Sequence, residues 1–129
     1  MTSKEVNEVD VEIVRNANDH FGNPMGTGNF YQIRGKKFVF TDGVKDLCND
    51  CECFWFMDVI LSYQGEKKVK SEEFQVWTLE RIKDDRFKVT MDDGNENIIL
   101  KQLIPFSDFK YDLATVWVEY NTLLLPCER

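Results

Sequence analysis

The stretch "DLCNDCECFWFMD", residues 46–58, decides how the rest of the chain is read. Three cysteines within six positions fit a metal knuckle, a redox pair, or a helix that uses cysteine as a small apolar residue. With Cys127, the cysteines Cys48, Cys51 and Cys53 supply the four sulfurs that a structural zinc needs. The spacing argues against that set. Val44, Leu47, Cys48, Cys51, Phe54 and Trp55 recur at i, i+3, i+4 and i+7, which is one apolar face of a helix. In a continuous helix Cys53 lies about 200° round from Cys51, so the three thiols cannot converge. Only a break at 49–52 brings them together. Packing is therefore the preferred role, no metal site is assigned, and Cys127 stands as an oxidisable thiol near the C-terminal end.

Working outward, "TDG" (41–43) opens this helix: Thr41 or Asp42 caps it, and Asp42 and Asp46 favour its positive end. The apolar pattern runs to Gln64, Gly65 ends it, and Asn49 and Asp50 mark a bend between two shorter helices. Upstream, "FYQIR" and "KFVFT" form a short hairpin around Gly35 and Lys36. "FGNPMGTGN" (21–29) is a loop. Its GxG follows no clear strand and precedes no Gly-Lys-Ser/Thr, so it is not a phosphate loop. "TSKE" (2–5) has capping-box spacing and predicts a helix over 3–18. The alternation of Val9, Val11 and Ile13 with Asp10 and Glu12 keeps a strand as the rival reading.

Downstream, "GEKKVKSEE" (65–73) reads as a solvated loop. Strands follow at 73–82, 86–91, 97–104 and 114–120, and "TLLLP" (122–126) completes them. Turns fall at Asp84–Asp85, Asp93–Gly94 and Tyr120–Asn121, and "PFSDFKYDL" is a connection. The expected fold is α+β: an antiparallel meander with helices packed on one face, in a single domain spanning 1–129.

The totals agree with a globular chain. It has 129 residues, 43% of them hydrophobic, with ten phenylalanines, four tyrosines and three tryptophans, enough to bury a core without disulfides or metal. The formal charge is −7 and no basic stripe is present, so direct nucleic-acid binding is not expected. No apolar run reaches membrane-spanning length, and the acidic N-terminal stretch is not a secretory signal. A cytoplasmic, reducing setting follows, with free thiols and no cofactor.

Six stretches carry a resemblance: "TDGVKDL" (41–47), "FWFMD" (54–58), "FQVWTL" (74–79), "DDGNENI" (92–98), "SDF" (107–109) and "LLLPCE" (123–128). From Gly26 onward the chain resembles an uncharacterised family of small bacterial proteins often carried in phage, plasmid and other accessory DNA. Residues 1–20 match it loosely. In that family the positions of Cys48, Cys51 and Cys53 commonly hold alanine, which implies packing and not ligation. The family implies no activity.

Candidate site residues are few. His20 is the only histidine, and no Ser-His-Asp set accompanies it. Asp58 lies partly on the apolar stripe, which calls for a hydrogen-bond partner or the rim of a cleft. Asp42, Gly43 and Lys45 suit a capped turn, or a small anion at the helix N-terminus. "DDGNENI" lacks the acid spacing of an EF-hand and is a hairpin turn. Trp77 and Trp117 sit in strands as core or interface residues.

Three functions remain in view. The first is a non-enzymatic binding protein whose acidic face (Asp42, Asp46, Asp50, Glu52) meets a partner protein with a basic surface. The second is a small-molecule binder or enzyme with a pocket near Trp55, Asp58 and Trp77. The third is a homodimer formed through an edge strand at 113–119.

Overall fold

A computed structural model of the chain describes residues 14–23, 26–33 and 35–129. In chain order it runs through a 3-10 turn (Ala17–Asp19), β1 (Phe30–Gln32), β2 (Val39–Thr41), α1 (Asp42–Cys51), α2 (Phe54–Ser62) and α3 (Lys67–Lys70). Then come β3 (Phe74–Lys83), β4 (Arg86–Asp92), β5 (Ile98–Ile104), β6 (Leu113–Glu119), β7 (Thr122–Leu124) and a second 3-10 turn (Pro126–Glu128). This is an α+β fold.

One seven-stranded sheet has the order β1-β2-β7-β6-β3-β4-β5. It is mixed, which corrects the expected antiparallel meander. β2 and β7 are parallel, with Val39 opposite Thr122 and Phe40 opposite Leu123. Only β3, β4 and β5 form a meander. The connection after β5 carries the chain back across about three strand spacings, roughly 14 Å, and eight extended residues reach that distance with ease. β6 then pairs with the far side of β3, Trp77 opposite Val116. β6 is therefore interior, between β3 and β7, which corrects the reading of 113–119 as an edge strand: the edges are β1 and β5.

Strand alternation sorts the side chains. Trp77, Leu79, Phe87, Val89, Met91, Leu100, Ala114, Val116 and Val118 fall on one face by register. They share a single core with Val44, Leu47, Phe56, Met57 and Ile60 from α1 and α2, and with Val69 from α3. Burying each large side chain stabilises by about 1.5–3 kcal/mol, so this layer of helix on sheet dominates the fold. Phe74, Val76, Thr78, Thr90, Thr115 and Trp117 occupy the opposite face and are only partly covered. There the Arg129 guanidinium lies 5.3 Å from the Phe74 ring and 5.7 Å from the Trp117 ring, and bonds Glu119 at 2.9 Å.

Two local expectations are revised. Residues 65–73 are not all solvated loop: α3 forms there because Val69, its one apolar residue, is fully buried. Residues 14–18 are not α-helical. Asn16 bridges to Leu113 in parallel and caps the 3-10 turn. The Asn18 side-chain amide both accepts from the Thr115 N–H (2.6 Å) and donates to the Thr115 carbonyl (2.9 Å), extending the sheet where β7 does not reach. The remainder of the predicted helix, 3–13, lies outside the described residues.

Candidate functional site

The cysteine question resolves at Glu52. α1 ends there with Glu52 in the left-handed region (φ 52°, ψ 45°), and both the Glu52 and Cys53 N–H groups donate to the Cys48 carbonyl. The Cys53 bond is the six-to-one bond of a Schellman motif, which characteristically brings two apolar side chains together; here they are Cys48 and Cys53. The bend thus falls at 52–53 and not at Asn49–Asp50. It converges the thiols without making a ligand set. Cys48, Cys51 and Cys53 are all buried, and the Cys53 thiol points to the Leu47 carbonyl at 3.7 Å. Burial pushes the Cys51 thiol up to about 11. The adjoining Cys48 thiol, then burial, hold Cys53 well above the ordinary thiol range. Such thiols are poor nucleophiles and poor ligands. Cys127 is exposed and far along the chain. Among the described residues no group of three His, Cys, Asp or Glu side chains is placed to hold a metal ion.

The N-terminus of α1 is more elaborate than a capped turn. Thr41 is the N-cap, accepting from the Val44 N–H at 3.4 Å. The Asp42 carboxylate turns back onto the preceding loop and accepts from the Gly28 N–H (3.0 Å), the Asn29 N–H (3.1 Å) and the Tyr31 hydroxyl (2.8 Å). The Tyr31 bond, followed by those from Thr27, Gly28 and Asn29, lowers the Asp42 pKa against the opposing effect of burial. Lys45 lies 4.5 Å over the Tyr31 ring.

The seat that a small anion would take at this helix N-terminus is filled by the chain itself. Glu128, 8% exposed, accepts from the Thr41 hydroxyl (2.6 Å), the Gly43 N–H (2.9 Å) and the Leu125 N–H (2.9 Å). A Cβ on Gly43 would stand 2.7 Å from that carboxylate, so the glycine is required by close approach. "TDG" and "PCE", 85 positions apart at the Gly43–Glu128 bond, are the two halves of one clasp. Beside it lies a cleft of about 360 Å³ lined by His20, Asp42, Asp46, Glu128 and glycines 22, 26, 28 and 43, with no lysine or arginine in its lining. The His20 ring sits 5.3 Å from that of Tyr111.

The trio Trp55, Asp58 and Trp77 is not brought together as a pocket. Trp77 is fully buried, its indole N–H donating to Gln75 Oε1 at 2.8 Å and its ring stacked 6.0 Å from Tyr63. Trp55 is half-buried, and Asp58 is exposed on the solvent side of α2. The stripe placed Asp58 at its margin, and the helix turns it outward.

A larger cleft, of about 550 Å³, opens between the end of α2, α3, the start of β3, the end of β6 with the β6–β7 turn, and residues 36–38 just before β2. Its walls include Phe38, Leu61, Gln64, Gln75 and Val118, with Lys36, Lys37, Lys70, Glu72, Glu73 and Tyr120 around it. Gln75, 4% exposed, receives the Trp77 and Gln64 N–H groups on its oxygen and donates to Gln64 and to the Val69 carbonyl. Tyr120 and Asn121 both have positive φ, 51° and 61°. The left-handed region costs a side chain such as tyrosine about 1–2 kcal/mol. Sequence reasoning missed this cleft and Glu128, because each is assembled from segments far apart in the chain that only folding brings together. The same is true of the Asp112 carboxylate, which takes Arg15 Nη2 at 3.2 Å and Arg81 Nε at 2.8 Å.

A family sequence profile matches residues 15–129; the family is described as a family of unknown function, DUF6876. The chain matches no curated protein and no solved structure.

Proposed function

Because the chain belongs to this family of unknown function, we propose from its geometry that it works by binding a macromolecule: a protein presenting a basic surface. The observation that carries this reading is the outward face of α1 and its junction with α2. Asp46, Asp50, Glu52 and Asp58 are exposed there, and no ion pair among the described residues engages them. The one lysine of that stretch, Lys45, is drawn onto Tyr31. Asp42, expected in the same patch, is instead committed to the preceding loop. A partner's arginine or lysine side chains complement such a surface, steering encounter and fixing register.

A chain of this kind suits an inhibitor or regulator acting in the cytoplasm, of the sort carried on accessory DNA, and that setting rests on the resemblance described above. The reading is tested with a labelled arginine-rich peptide and isotope-labelled protein. Binding should weaken with salt, shift amides of residues 42–58, and vanish in the triple variant Asp46→Lys, Asp50→Lys, Glu52→Lys. Shifts confined to other surfaces, or affinity unchanged by the charge reversal, would refute it.

A further inference from the structure

We propose that the 550 Å³ cleft between α2, α3, the start of β3 and the β6–β7 turn binds a small aromatic anion of the nucleoside monophosphate class, with Tyr120 as stacking platform and Lys36, Lys37 and Lys70 as phosphate partners. The volume lies within the range of small-molecule sites.

Three features converge on this chemistry. First, Tyr120 is 87% exposed and left-handed in a two-residue hairpin turn whose demands are met by Asn-Gly. Its ring adds little to the core, so the fold does not explain a tyrosine there. An exposed ring at the mouth of a cleft offers a face for a base. Second, the three lysines form no ion pair among the described residues, although the chain carries a net charge of −7. Their ammonium groups are available to a phosphate. Third, the inner wall is both apolar and amide-bearing. Phe38, Leu61 and Val118 supply apolar surface. Gln75 is locked by five side-chain hydrogen bonds and in turn fixes Gln64. Gln64 Oε1 takes one bond, from Gln75, and keeps a lone pair for a donor on a base edge.

Glu72 and Glu73 sharpen the selection. They repel a bare dianion, yet accept hydrogen bonds from ribose hydroxyls or an exocyclic amine. The cleft therefore favours an anion that brings donors of its own over free phosphate.

The test uses the full chain titrated separately with the four common ribonucleoside monophosphates, with inorganic phosphate and adenosine as controls, read by amide chemical shifts and calorimetry. At least one nucleotide should bind saturably below 1 mM, with shifts at residues 36–38, 64–75 and 118–121. Tyr120→Asn should weaken it about tenfold or more while raising the melting temperature, since asparagine tolerates the left-handed turn. The triple variant Lys36→Gln, Lys37→Gln, Lys70→Gln should weaken it similarly and flatten its salt dependence. Three results would each overturn the proposal: no binding of any nucleotide at millimolar concentration, inorganic phosphate binding as tightly as the nucleotides, or unchanged affinity in Tyr120→Asn.

Discussion

Replacing Glu52 by glycine should make this protein more stable, and replacing it by alanine should not. Glu52 is exposed, and its backbone sits at φ 52°, ψ 45° between α1 and α2. That conformation costs an L-residue about 1–2 kcal/mol, which glycine avoids. Glycine loses about 0.4–1 kcal/mol through the greater freedom of the unfolded chain. The net gain is about 0.5–1 kcal/mol. At about 2.1 cal/mol/K per residue, the 129 residues give an unfolding entropy near 270 cal/mol/K, so the melting temperature should rise by about 2–4 °C. Alanine keeps the strain and should stay within about 0.5 kcal/mol of wild type. Differential scanning calorimetry and urea unfolding of the two variants read the sign directly. Were 42–62 one continuous helix, glycine would be the worse residue by about 1 kcal/mol. A Glu52→Gly variant less stable than Glu52→Ala would refute the break, and with it the account of how Cys53 reaches Cys48.

The clasp gives a coupled prediction. Glu128→Ala strips acceptors from the Gly43 and Leu125 N–H groups and should cost about 2–3 kcal/mol in urea unfolding. Gly43→Ala should be similarly harmful alone, yet stabilising by about 1 kcal/mol in the Glu128→Ala background, where only helix propensity remains; additive costs would disprove the contact. With a chromogenic disulfide at pH 8, one thiol, Cys127, should react in the native protein, and Cys48, Cys51 and Cys53 only after unfolding. Chelation should leave the melting temperature unchanged, whereas stoichiometric zinc released with three thiols would reverse the packing assignment. The bond from Arg15, with help from Arg81, holds the Asp112 carboxyl down to about 2, below its unfolded range. A depressed carboxyl stabilises above the unfolded pKa, so this contribution is complete above about pH 5 and is lost as pH falls through 4 toward 2. Asp112→Asn should be destabilised at pH 6 and converge on wild type near pH 2. An equal gap at both pH values would show that the ion pairs contribute nothing.

Much of the architecture is local and was legible in the chain. Thr41 caps α1 as its position before an apolar periodic run requires, and β3, β4 and β6 alternate between buried and partly covered residues. The Asp93–Gly94 and Tyr120–Asn121 turns fall where turn chemistry placed them, with Asp93 accepting from Asn95. Hydrophobic period and cap chemistry act over a few residues, so sequence alone reveals them.

Other features depend on which segments meet. Glu52 is a good helix former, and nothing local marks it as left-handed; the chain bends there because Phe56, Met57 and Ile60 gain more by packing on the sheet than a straight helix would allow. The parallel pairing of β2 with β7 joins strands of three residues each, too short for their pattern to name a partner. Asp58 read as a pocket acid because a stripe gives angular position but not depth. Trp77 read as a site residue because a strand pattern does not show what covers it. Glu128, next to Cys127 in no periodic segment, acquired its role only when β7 laid the C-terminal end against α1. The sequence by itself determined the long strands and the face each buries, and the start and Thr41 cap of α1, since those follow from neighbours along the chain. The tertiary structure alone decided strand order, the helix break that brings the cysteines together, the Glu128 clasp and the two clefts, since each depends on contacts that only folding brings within reach.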